Sequence, residues 1–111
     1  MKENMVDNDL SDIHENMEKN KIFSSSNRLI VMLLLKLHSK VQFNEFMTLM
    51  KITPGNLDHH LKMLESANFI IRKPSILSRK VKVMIEITEL GESELSVYLD
   101  TLKSLIRKLE S

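Results

Sequence analysis

Residues Ile52–Ile70 read ITPGNLDHHLKMLESANFI, and the rest of the chain takes its meaning from this stretch. Leu57, Leu61 and Leu64 recur at i, i+4 and i+7, so on a helix they stack along one side and face a core. Thr53 stands where an N-cap belongs, and Pro54 takes the first-turn position at which a missing amide hydrogen is tolerated. The opposite side carries Gly55, His59, Lys62 and Ser66, flanked by Asn56, Asp58 and Met63. A helix that buries leucines and displays this polar set has a surface to present.

Working outward, Phe69 to Lys73 and Val81 to Thr88 have strand character and are joined by a basic connection containing Arg79 and Lys80. In the second run Val81, Val83, Ile85 and Ile87 alternate with Lys82, Met84, Glu86 and Thr88, the period of a half-buried strand. On the other side, Lys40 to Phe43 is expected to form a short strand or turn. Asn44 would then cap a helix through Lys51 that carries Phe46, Met47, Leu49 and Met50. Before it, Ser24 to Asn27 offers caps for a helix from about Asn27 to His38. Leu29 to Leu35 and Leu37 make that helix apolar on nearly every side, so its burial in a small domain calls for a second subunit or for terminal helices wrapping over it.

The order helix, short turn, helix, hairpin, long helix resembles the small winged-helix transcription regulators of the MarR and ArsR superfamily. More narrowly, T-P-G-N-L-D-x-H-L-x-x-L-E, from Thr53 to Glu65, followed by an apolar strand, resembles the recognition helix of compact single-domain prokaryotic members, many of them archaeal. The similarity covers roughly Ser25 to Leu109. Two positions depart from the pattern. Asn68 stands where the family usually has Gly, and Asn tolerates the left-handed conformation of a helix stop. The wing lacks the usual Gly-Arg tip and carries Ser75, Ile76, Leu77 and Ser78 instead. The resemblance implies a mainly α fold with a small β part (α+β): a winged helix-turn-helix with a two-stranded wing and a long C-terminal dimerisation helix. Segments 1–24, 25–88 and 89–111 would be an acidic helical extension, the DNA-binding domain and the dimerisation helix.

Composition narrows the classes. A chain of 111 residues can hold one modest core, and two glycines with two prolines leave little for a turn-rich β protein. No cysteine is present, so disulfides, thiolate metal sites and cysteine nucleophiles drop out together. The acidic N-terminus does not read as a signal peptide, and the longest apolar run, Leu29 to Leu35, is far short of the roughly 20 residues of a spanning helix. A soluble, cytoplasmic protein without a membrane contact is expected.

The net charge of +1 hides an uneven distribution. From Lys51 to Lys82, seven Lys or Arg face only Asp58 and Glu65, while the first 24 residues and the segment from Val83 onward are both net acidic. Single basic residues in a hairpin are often merely solvated. Seven in one segment point to phosphate contact.

In the last segment Glu89, Glu92 and Glu94 come early and Lys103, Arg107 and Lys108 late, the arrangement that complements a helix dipole. Leu95, Leu99, Leu102, Ile106 and Leu109 are spaced 4, 3, 4 and 3, the seam of a two-helix contact. Such a stripe can also pack on its own domain. Its length favours a homodimer, and Leu10, Ile13 and Met17 near the N-terminus could complete the bundle. A two-fold dimer would present two recognition helices to a pseudo-palindromic duplex.

The expected DNA-binding set is Lys51, Thr53, Gly55, Asn56, His59, Lys62, Arg72, Lys73, Arg79, Lys80 and Lys82. Thr53 at the helix start and the cations Lys51 and Lys62 suit phosphates, and Asn56 and His59 suit base edges. Arg79, supported by Lys80, would reach an adjacent minor groove or its phosphates. For Asn56 a local turn bond is an equal reading, and His60 lies closer to the buried side. Asp58, His59 and His60 are adjacent, but consecutive helical residues diverge by about 100° and cannot converge on one metal. No catalytic motif, metal or cofactor is expected, and the eight Met residues read as ordinary core rather than as a small-molecule effector pocket. The competing function is a winged-helix module that binds a protein partner, for which Ile76 and Leu77 could supply an apolar contact.

Overall fold

The computed structural model describes residues 11–15 and 17–111. Residues 11–15 and 17–19 are helical (α1), and a 3-10 turn at Lys21–Ser24 leads into α2 (Ser26–His38). The chain continues through β1 (Lys40–Gln42), α3 (Phe43–Met50), α4 (Pro54–Ser66), β2 (Ile70–Leu77), β3 (Lys80–Ile87) and α5 (Glu89–Glu110). The strands form one antiparallel sheet in the order β1-β3-β2. Helix–turn–helix followed by a hairpin wing is the winged-helix arrangement that the sequence implies.

Local chemistry sets most of the boundaries. The hydroxyl of Ser25 accepts from Arg28 N, that of Thr53 from Asn56 N and that of Thr88 from Gly91 N, so α2, α4 and α5 each start on a side-chain cap. Helix α4 ends on Asn68, whose φ of 63° is left-handed; Asn68 N donates to Glu65 O and Phe69 N to Leu64 O. That bond pair is a Schellman stop, closed by the buried Leu64 and Phe69. One cap differs from expectation. Helix α3 starts at Phe43 with Gln42 as N-cap, and Glu45 Oε1 accepts from Gln42 N at 3.1 Å. Asn44 is therefore already inside the helix, because the Gln42–Glu45 exchange caps it two residues earlier.

Leu57, Leu61 and Leu64 of α4 are fully buried, as their spacing predicts, and meet Val31, Met32, Leu35, Phe46, Ile70 and Ile85. Phe23 stacks on Phe69 with ring centroids 5.3 Å apart and lies 5.2 Å from Tyr98 of α5. One core thus joins residues from all three of the expected segments: Phe23 from the first, the leucines of α4 from the second, and Leu95 and Tyr98 from the third. The boundaries at 24/25 and 88/89 do not separate independent packing units. The apolar α2 is covered by the terminal elements in part, through the 3-10 turn and α5, while Ile30 and Leu37 remain exposed.

Gly91 fixes how α5 meets this core. A Cβ there would stand 2.2 Å from Phe69 O, closer than any side chain can sit against backbone. Phe69 O also accepts from Thr88 N, and the Thr88 hydroxyl donates to Asn68 O at 2.7 Å. The end of α4 and the start of α5 are therefore joined backbone to backbone.

The wing is longer than expected. Strand β2 runs to Leu77 and β3 begins at Lys80, so Ser75 to Leu77 belong to the ladder and only Ser78 and Arg79 turn the chain. The expected burial of the β3 alternation holds only at the base. Ile85 is buried and Ile87 half-buried, but Val83 and Val81 are exposed because the distal wing extends past the core.

Candidate nucleic-acid interface

Helix α4 owes its outward surface to its three buried leucines. With those turned inward, Gly55, Asn56, His59, Lys62 and Ser66 are left exposed, and Thr53 is exposed at the helix start. Apart from its chain neighbours and its own helix backbone, nothing lies within 4 Å of where a Cβ on Gly55 would project, so the backbone of the first turn is open to close approach. Lys51, the last residue before the α3–α4 turn, is exposed in a left-handed conformation with φ 53°.

The wing supplies the second part. Ser78 and Arg79 have φ of 53° and 66°, the pair of left-handed residues that makes a two-residue hairpin turn of the primed type. Asn-Gly is the usual occupant of such a turn, because each left-handed L-residue costs roughly 1–2 kcal/mol. An arginine is held at the tip in spite of that cost. Arg79, Lys80, Lys82 and Lys51 have no carboxylate partner among the described residues.

Other basic residues of the expected set are already engaged. Lys62 Nζ lies 3.1 Å from Asp58 Oδ2 within α4, and Lys73 Nζ lies 3.1 Å from Glu86 Oε2 across the sheet. Arg72 differs most from expectation. It donates to Asp58 Oδ1 and Glu65 Oε1, both at 2.7 Å, with its side chain only 20% exposed. A guanidinium spent on two carboxylates of α4 is a brace between β2 and the helix, so Arg72 is withdrawn from the DNA-contact set. Register explains the difference: Arg72 shares the sheet face of Ile70 and Ile85, which looks toward the core, whereas Lys73, Lys80 and Lys82 share the other face. The Arg72 and Lys62 bonds together pull the Asp58 carboxyl below its ordinary value.

His60 is drawn inward, as its position on the wheel predicts. Its Nδ1 lies 3.1 Å from Arg28 Nη1 and its Nε2 3.4 Å from the Asn27 amide, both on α2. Arginine can only donate, so Nδ1 accepts and the ring is neutral. Burial, then the charges of Arg28 and His59, lower its proton affinity. Asp58, His59 and His60 therefore diverge to Arg72, solvent and Arg28. Among the described residues no group of acids and histidines is placed to hold a metal ion.

The expected dimer seam is divided. Leu95 is fully buried and Leu99 and Leu102 pack against the same core, so the first half of the stripe serves its own domain. Leu95 in particular is withdrawn from the interface set. Ile106 and Leu109 are exposed, at 51% and 78%. Ile13 and Met17 of α1 are half-buried, Met17 against the core; Leu10 lies outside the described residues.

A family model described as a winged helix DNA-binding domain matches residues 27–106. The chain belongs to the winged helix DNA-binding domain family. An uncharacterized protein of Methanocaldococcus jannaschii is 34% identical over 90 residues, covering 81% of this chain and 98% of its own length. A solved transcriptional regulator homologue from Pyrococcus horikoshii is 30% identical and superposes with a TM-score of 0.80, covering 94% of this chain and 99% of that one. The crystal structure of MarR shares the fold at a TM-score of 0.69 and 16% identity, over 96% of this chain and 79% of its own. This winged-helix protein is a DNA-binding transcription regulator and not an enzyme. No helix among the described residues is long and apolar enough to cross a membrane.

Proposed function

We propose that this winged-helix protein is a cytoplasmic homodimer that recognises a pseudo-palindromic double-stranded DNA site and so regulates transcription. The observation that carries the reading is the exposed outer face of α4 beside a wing whose tip holds an arginine in a glycine conformation. Helix α4 enters the major groove. Thr53, the open backbone at Gly55 and the cations Lys51 and Lys62 meet phosphates, and Asn56 and His59 read base edges. Arg79, Lys80 and Lys82 track the neighbouring minor groove or its phosphates, with Lys73 behind its Glu86 pair in reserve. Two copies joined through the free end of α5, by Ile106 and Leu109, would set the recognition helices about 34–36 Å apart.

Selection of bound duplexes from a random pool tests all of this at once. An enriched inverted repeat is expected; recovery of no preferred sequence would reject specific recognition. One observation favours a second reading, a protein-binding role for the wing. Ile76 and Val81 face each other on one side of the hairpin and are 76% and 71% exposed. Such an apolar strip suits a protein partner. Under that reading, selection yields no motif.

A further inference from the structure

Asp58 and Glu65 place two carboxylates along the flank of the very helix that is proposed to face a polyanion. Left alone they would repel phosphate. The structure shows how both are occupied. Asp58 divides its oxygens, Oδ1 going to Arg72 at 2.7 Å and Oδ2 to Lys62 at 3.1 Å, while Glu65 Oε1 takes the Nε of the same Arg72. The two cations are not equivalent. Lys62 is 70% exposed on a flexible stem within one helix; Arg72 is shielded, planar and anchored on a strand. Lys62 can leave for a phosphate at little cost, as exposed pairs contribute little. Arg72 stays.

Resting on the reading that α4 faces DNA, we infer that Arg72 is a positioning residue of the binding surface: it touches no DNA but keeps Asp58 and Glu65 neutralised when Lys62 is drawn away to phosphate. Protonation of Asp58 is disfavoured as well, because the Arg72 hydrogen bond above all holds the carboxyl below its ordinary value. The same pair of hydrogen bonds fixes the wing base against the recognition helix, since Arg72 lies two residues beyond the buried Ile70 on β2.

The test is a fluorescence-anisotropy titration of the full chain with a duplex recovered by selection. Arg72→Gln is expected to weaken binding by about tenfold, because a carboxylate then faces phosphate unpaired. Arg72→Gln combined with Asp58→Asn has the wild-type net charge and should return to within about threefold of wild type. Arg72→Gln combined with Glu110→Gln has that same net charge but removes an acid at the far end of α5, and should stay weak. Arg72→Lys, which keeps a cation at the brace, should lose less than Arg72→Gln and covers the case in which the glutamine variant does not fold. A charge-restored double variant as weak as Arg72→Gln, or rescue by Glu110→Gln to the same degree, overturns the inference while wild-type binding leaves the parent reading intact. Failure of wild type to bind any duplex overturns both.

Discussion

Gly55 and Gly91 are the only two glycines in the chain, and the same substitution separates their roles. At Gly91 an added methyl meets the backbone carbonyl of Phe69 at 2.2 Å, where nothing flexible can yield. Gly91→Ala should cost about 1–3 kcal/mol, read as a lower urea midpoint. At Gly55 the methyl meets nothing, so Gly55→Ala should be neutral or stabilise by up to about 1 kcal/mol while weakening DNA binding by blocking close backbone approach. Unchanged binding would remove Gly55 from the phosphate contact. His60 gives a pH signature of its own. Burial, with help from Arg28 and His59, lowers its folded value below the ordinary 6.5, so the unfolded chain takes up the proton first. Its contribution to stability is fully present above that ordinary value and is lost as pH falls through the lower folded one. His60→Gln should therefore lose less stability than wild type between about pH 7.5 and 5 in urea titrations.

At the scale of the element, legibility followed how local the determinants are. Helix α4 was readable because its cap, its leucine spacing and its Asn68 stop all lie within one short stretch. The α3 cap was harder, since Gln42 and Asn44 are both plausible and only the Glu45 contact decides between them. The wing length was not readable. Pro74 and Ser75 look like turn residues, yet Pro74 sits in β2 opposite Val83. Strand β2 is an edge strand, where a missing ladder donor is tolerated. Arg72 resembled every other wing cation in sequence, because the Asp58 and Glu65 that claim it are brought near only by the packing of β2 on α4. Nor does the sequence mark Gly91, whose constraint comes from a carbonyl 22 residues earlier. The turn makes the element-scale prediction. Changing Ser78 to Asn and Arg79 to Gly installs the preferred pair and should stabilise the hairpin by about 1 kcal/mol. The same change should reduce the slope of log affinity against log salt by about one. Greater stability with an unaltered slope would show that Arg79 meets no phosphate.

At the scale of the whole molecule, the described residues extend 65 Å in the longest direction against 23 and 22 Å across, and α5 continues beyond the domain it helps to pack. Its 22 residues span about 33 Å, and the core claims Gly91, Leu95 and Tyr98 near its start. Beyond Leu102 the apolar spacing persists in Ile106 and Leu109, which are exposed and meet no core among the described residues. On the proposed reading, this exposed end, which keeps the apolar register of the stripe, is half of a two-helix interface. Ile106→Asp with Leu109→Asp should therefore produce a folded monomer by sedimentation, with thermal stability of the remaining core close to that of wild type at low protein concentration. Leu95→Ala, seven residues before Leu102 on the same stripe, should instead destabilise the fold itself by about 2–5 kcal/mol. On DNA the monomer should bind single half-sites far more weakly than the dimer binds the inverted repeat, because linking two sites multiplies affinity only when both are engaged. Should the aspartate variant sediment as wild type does and bind the repeat equally well, pairing through the end of α5 would be excluded, and with it the spacing assigned to the two half-sites.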